Sequence, residues 1–132
     1  MKERAALARS ELEVAQVVWR LGEARVRDVV EALPAGSAGR KADFWTVQTY
    51  LRRLKAKGYL RTRRQGRALV YLPAVKPTRV VRDVVSDFVR RVFAGRPLPL
   101  VQHLIGDADF SDEEIAQLQK TLDQLKRRSK SS

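Results

Sequence analysis

The stretch DFWTVQTYLRRLKAKGYLRTRRQGRALVYL, Asp43–Leu72, decides the fold. Asp43 is a good N-cap and Gly58 a good stop, so a helix is predicted between them, through Lys57. Val47, Tyr50, Leu51 and Leu54 recur at helical spacing and form a single stripe for burial. The opposite face carries Trp45, Thr49, Arg52 and Ala56, flanked by Thr46, Gln48 and Arg53. No acid follows Asp43 on this helix, whereas an ordinary surface helix mixes signs to gain pairs one turn apart. After Tyr59 the period changes. Leu60-Arg61-Thr62-Arg63-Arg64 and Arg67-Ala68-Leu69-Val70-Tyr71-Leu72 predict two short strands, with Gln65-Gly66 as the turn between them. The tip of that hairpin, from Arg63 to Arg67, is almost entirely basic.

Two shorter helices are predicted upstream. Ser10-Glu11-Leu12-Glu13 reads as a capping box with Ser10 as N-cap. Leu12, Ala15, Val18 and Trp19 follow at helical spacing, and Gly22 stops the run. Val26, Val29, Val30 and Leu33 make a second apolar face ended by Pro34, and residues 35–41 read as a loop. Three helices followed by a basic hairpin describe a winged helix-turn-helix, the hairpin being the wing. The expected fold class is therefore mostly α, with an N-terminal winged helix-turn-helix followed by a helical C-terminal dimerisation segment.

Pro73-Ala74-Val75-Lys76-Pro77 is a stiff linker and sets the expected boundary: 1–74 for DNA binding, 75–132 for dimerisation, with a frayed tail from Lys126. Beyond the linker, Thr78 is the expected cap of a helix reaching about Ala94. Its Val80, Val81, Val84, Val85, Phe88, Val89, Val92 and Phe93 give an apolar face wide enough to need partners on two sides. Leu98 to Ile105 is a short apolar segment between Pro97 and Gly106. Ser111-Asp112-Glu113-Glu114 is a second capping box, followed by Ile115, Leu118, Leu122 and Leu125 as a narrow coiled-coil-like seam. Val81, Val84, Val85, Phe88, Val92, Leu118 and Leu122 are the expected dimerisation residues.

Charge supports a polyanionic partner. The 132-residue chain carries 27 Lys plus Arg against 15 Asp plus Glu, a net charge of +12. Twelve of those basic residues lie between Arg40 and Arg79, where Asp43 is the sole acid, so the remainder is nearly neutral. Such segregation attracts phosphates and releases their counterions. A merely solubilising basic face would intersperse its charges. There is no Cys, which removes disulfides, thiolate zinc sites and cysteine nucleophiles, and the lone His103 makes no transition-metal site. The acids Asp107, Asp109, Asp112, Glu113 and Glu114 lack a calcium-loop pattern and suit a helix N-terminus better. No catalytic constellation or phosphate-cradling Gly loop is present, so no enzyme and no cofactor is expected. No apolar run is long enough to span a membrane and the first residues do not read as a signal peptide, so a cytoplasmic protein is expected.

Thr46, Gln48, Thr49, Arg52 and Arg53 are the candidates for base readout, because Arg pairs with guanine, Gln with adenine, and Thr offers a hydroxyl or a methyl. Arg61, Arg63, Arg64 and Arg67 are the candidates for phosphate contact from the wing, with Lys41 in support. Trp45 reads equally as a staple at the helix start or as an aromatic facing DNA. Trp19, Tyr50 and Tyr71 read as core. A competing reading keeps the fold and replaces operator DNA by RNA or the ribosome, gripped without base readout; a further one makes the wing a dock for an acidic protein.

The motifs Glu11-Leu12-Glu13-Val14 with Val18-Trp19 and Gly22-Glu23-Ala24, Val26-Arg27-Asp28-Val29-Val30, Thr46 through Leu54 with Lys57-Gly58-Tyr59-Leu60, and Gly66-Arg67-Ala68 with Val70-Tyr71 resemble the penicillinase-repressor family of bacterial transcriptional regulators. The similarity runs from about Leu7 to Leu125. It implies a homodimer that binds palindromic operator DNA through its winged helix, with repression relieved by a membrane sensor protease or a factor it triggers. This chain departs from the family pattern at Arg25, where a Thr cap is frequent, and at Trp45, where a small hydroxyl residue is common. The family's cleavage pair, typically Asn-Phe, falls at about His103-Leu104. The C-terminal cysteines of copper-responsive relatives are absent.

Overall fold

The computed structural model describes residues 5–34 and 43–131. The elements run α1 (Arg9–Leu21), α2 (Val26–Ala32), α3 (Phe44–Ala56), β1 (Leu60–Gln65), β2 (Ala68–Pro73), α4 (Pro77–Phe93), α5 (Pro97–Asp107) and α6 (Asp112–Ser131). Internal packing divides the chain into two units, with the break between Asp83 and Val84 inside α4.

The first unit is a winged helix-turn-helix. Val14, Ala15 and Val18 of α1, Val29 of α2, and Val47, Leu51 and Leu54 of α3 close one core, to which Leu60 and Tyr71 contribute from the strands. The residues from α1 and α3 recur at one-turn spacing, as do Val26 and Val29 of α2, which is why three short helices that would be marginal alone hold together. Val80, early in α4, is buried in the same core, so the first unit continues past the Pro-rich linker. Partly buried Trp19 packs on that core, and its indole Nε1 has no hydrogen-bond partner among the described residues.

The antiparallel wing pairs Leu60 with Pro73 through Gln65 with Ala68. Gly66 and Arg67 are therefore the two turn residues, one position later than the sequence pattern suggests. Gly66 has φ 63° and Arg67 does not share the left-handed region, the signature of a turn that needs Gly at its first central position. At the wing's root the main chains of Ala24 and Tyr71 exchange two hydrogen bonds of 2.9 and 2.8 Å. Ala24 thereby adds a third-strand bridge to β2 and ties the α1–α2 turn to the wing.

Helix starts differ from expectation in two places. α1 begins at Arg9 after Ala8, not after Ser10, because the Glu11 carboxylate accepts the Ala8 N–H at 2.8 Å. Glu11 is 1% exposed and also accepts from Lys57 Nζ at 2.6 Å, so it faces inward and draws the helix start two residues upstream. α4 starts at Pro77 and Thr78 lies within it; Pro at the first helical position gives up no intrahelical bond. The expected caps Asp43 and Ser111 hold. Asp43 Oδ1 accepts from Thr46 N at 2.7 Å, while Ser111 Oγ and Glu114 Oε1 complete a reciprocal box.

The second unit contains the end of α4 with α5 and α6. Gly106 sits inside α5 rather than ending it, and α6 runs to Ser131 instead of fraying at Lys126. No breaker interrupts that last turn, and Arg128 and Lys130 complement the helix dipole there. Val80 is the last buried residue of the chain among those described. Val84, Val85, Phe88, Val92, Leu118 and Leu122 are all exposed, as is Val81 earlier on α4.

Candidate nucleic-acid interface

α3 owes its orientation to its inner stripe. With Val47, Leu51 and Leu54 fully buried, rotation about the helix axis turns Trp45, Thr49, Arg52 and Arg53 to solvent. Thr46 and Gln48 flank that face and are half-buried. From Phe44 through Arg82 the sequence contains no Asp or Glu. Asp43, just before it, is held below the usual carboxylate range by the Thr46 N–H, so its charge stays on the helix N-terminus.

Local hydrogen bonds and stacking shape this face. Thr49 Oγ1 donates to the Trp45 carbonyl at 3.0 Å, and the residue remains exposed. The Arg53 guanidinium stands 5.8 Å from the Tyr50 ring centroid, a cation–π contact that limits where it can swing. Trp45 is 75% exposed and touches Phe44 edge-on at 6.0 Å. It does not staple the helix start to the core. Phe44, itself exposed, belongs to the same head of the helix; the sequence reading omitted it although it directly precedes Trp45.

The wing places its cations on one exposed ribbon. Arg61, Arg63, Arg64 and Arg67 are all exposed. Arg61, Arg64 and Arg67 make no ion pair among the described residues, whereas Arg63 is paired with Glu23 of the α1–α2 turn. Nothing local announces that pair, because forty positions separate the partners. Lys41 lies outside the described residues. Among the described residues no group of three or more His, Cys, Asp or Glu is arranged to hold a metal ion. No helix is long and apolar enough to cross a membrane among them either. His103 and Leu104 fall within α5, with His103 against Phe93 at 5.9 Å.

The face as built can do two things. Exposed Arg52 and half-buried Gln48 supply the donors that direct readout in a major groove requires, and Trp45 with the Thr49 methyl supplies apolar contact. The wing cations Arg61, Arg64 and Arg67, which make no ion pair among the described residues, supply sequence-independent attraction to phosphate.

Known proteins share this sequence pattern. The family model described as penicillinase repressor matches residues 7–124. The penicillinase repressor of Bacillus licheniformis is 29% identical over 98% of this chain and 99% of its own length. The methicillin resistance regulatory protein MecI of Staphylococcus aureus (strain N315) is 22% identical over 88% of this chain and 92% of its own. Among solved structures, the Bacillus licheniformis BlaI monomeric form in complex with the blaP half-operator is 32% identical. It covers 59% of this chain and 92% of that one, with a TM-score of 0.48.

Proposed function

This chain belongs to the penicillinase repressor family, and from that premise we propose that it is a cytoplasmic, homodimeric transcriptional repressor acting on a palindromic operator. The observation that carries the proposal is the outer face of α3: Trp45, Thr49, Arg52 and Arg53 stand exposed while Val47, Leu51 and Leu54 anchor the helix from behind. Members of the family are DNA-binding regulators and not enzymes. Thr46, Gln48, Thr49 and Arg52 read base edges, Arg53 and Trp45 flank them, and Arg61, Arg64 and Arg67 bind phosphate. Lys41 supports them. A dimer with two such helices occupies two half-sites separated by a whole number of helical turns and blocks the promoter.

Residues 1–74 supply the DNA-binding part and 75–132 the dimerising part in this reading. What supports the second role is the unit from Val84 onward, which has no buried residue among those described although Val84, Val85, Phe88, Val92, Leu118 and Leu122 are large apolar side chains. Helices that bury nothing within one copy gain stability by burying that face against a second. Release by a membrane sensor protease acting on the C-terminal region completes the reading, with His103-Leu104 on α5 standing where the family's cleavage pair is typically Asn-Phe. Mass spectrometry of the protein from induced cells tests this step; an intact chain under inducing conditions removes it.

Selection of genomic fragments by the purified full chain tests the whole. Enriched fragments sharing an inverted repeat of fixed spacing are expected. Fragments without common sequence, or preference for structured RNA over duplex DNA at physiological salt, would overturn base readout.

A further inference from the structure

Arg63 differs from its neighbours on the wing. Its guanidinium reaches the Glu23 carboxylate, and the two side chains remain 40% and 46% exposed. The register explains how residues so far apart in sequence meet. Arg63 lies opposite Val70 on β2, one position from Tyr71, and Glu23 lies one position from Ala24, the residue that bridges Tyr71 from the other edge. Side chains alternate along strands, so Arg63 and Glu23 project on the same side of this small sheet from its two opposite edges. The Ala24–Tyr71 main-chain pair fixes the backbone beside Glu23 whether or not Arg63 is there.

We propose that Glu23 is a specificity-setting residue for DNA binding: it keeps Arg63 as a strut between the wing and the α1–α2 turn and withholds that cation from phosphate. The inference rests on the duplex-binding function proposed above. Affinity for any duplex grows with each phosphate neutralised and each counterion released. A guanidinium already neutralised by a carboxylate gains little by moving to a phosphate, because the move leaves Glu23 bare. The wing therefore grips phosphate through Arg61, Arg64 and Arg67, and its fourth Arg fixes the wing's position against the helices. Sequence-independent binding is weaker for it, and binding that depends on the fit of α3 into a groove is stronger. Glu23 thus sharpens the contrast between operator and other DNA without touching either.

The experiment measures fluorescence anisotropy of the full chain on a selected operator duplex and on a mixed-sequence duplex, across a salt series. Glu23→Gln is expected to raise affinity for the mixed duplex, to steepen the log K against log salt slope by about one unit, and to lower the operator-to-mixed ratio. Glu31→Gln, the same charge change on α2, is expected to leave the slope alone. Arg63→Gln is expected to weaken operator binding at the wild-type slope, and adding Glu23→Gln to it is expected to cause no further steepening. If Arg63→Gln instead flattens the slope by about one unit while Glu23→Gln leaves it unchanged, Arg63 is a phosphate ligand and the proposal is wrong. A wild-type chain that binds neither duplex refutes the parent function; a wild-type chain that binds both, with the variants reversed, refutes only the role of Glu23. Should Glu23→Gln fail to fold, the slope of Arg63→Gln decides alone.

Discussion

Replacing Lys57 with Met removes the ammonium that faces Glu11 across the core while keeping the aliphatic stem. In the native protein Glu11 is 1% exposed and accepts two hydrogen bonds, from Lys57 Nζ at 2.6 Å and from Ala8 N at 2.8 Å. Lys57 Nζ also donates to the Ala6 carbonyl at 3.0 Å, and the Tyr59 hydroxyl donates to the Ala5 carbonyl at 2.6 Å. Taking away one partner of a fully buried pair costs about 3–5 kcal/mol, since the other charge is stranded. Lys57 keeps 27% of its side chain exposed, so water can reach part of the vacated space and the expected loss is about 2–4 kcal/mol. Adding Glu11→Leu should recover part of it, because an apolar pair strands no charge, while the Ala8 N–H loses its acceptor. Urea unfolding followed by far-UV circular dichroism and by the fluorescence of half-buried Trp19 gives the numbers. Burial alone raises the Glu11 carboxyl, but the Lys57 ammonium, the Ala8 N–H and the Arg53 charge outweigh it and hold it below its ordinary value. A carboxyl depressed on folding stabilises above its unfolded pKa and loses that contribution as pH falls through the folded value. The stability gap between wild type and Glu11→Gln should therefore be constant near neutrality and close in acid, below the ordinary Glu value of 4.5. A Lys57→Met variant within about 0.5 kcal/mol of wild type, the level of an unremarkable surface change, or a gap indifferent to acid, would refute this reasoning.

Four further expectations concern the nucleic-acid face and the apolar face of α4. Arg52→Ala should cost about 1–3 kcal/mol on the selected operator and relax preference at one base pair, whereas Arg64→Ala should weaken all duplexes alike and flatten the salt slope by about one unit; equal loss on operator and scrambled duplex would reduce Arg52 to a phosphate contact. Exposed Trp45 and exposed Thr49 suit the C5-methyl group of thymine. Replacing operator thymines by uracil one at a time should weaken wild-type binding at a defined step but leave Trp45→Ala indifferent; tolerance of every uracil by both proteins rules out that contact. Phe88→Asp should shift sedimentation from dimer to monomer, and a wild-type chain that already sediments as a monomer at micromolar concentration ends the dimer proposal.

Much of the fold is legible locally. Asp43 as a cap, the stripe Val47, Leu51 and Leu54, the change of period at Leu60 and the box at Ser111 and Glu114 are decided by residues within about one turn of each other. The misreadings have causes that neighbouring positions do not carry. Ser10 has the right chemistry for a cap, but Glu11 is drawn inward by Lys57 and moves the start of α1. Gln65-Gly66 and Gly66-Arg67 are equally plausible turns by composition; the pairing of Gln65 with Ala68 selects the second.

The sequence alone determined which helix face is apolar, where the positive charge gathers and which family the motifs resemble, because periodicity, charge and motif spacing are properties of neighbouring positions. Only the tertiary structure decided that Trp45 stands in solvent, that Glu11 is held beneath Lys57, and that Arg63 pairs with Glu23 while no other wing cation has an ion pair among the described residues. Each of those outcomes depends on residues tens of positions apart being brought within hydrogen-bond reach or left uncovered, which packing settles and local pattern does not encode.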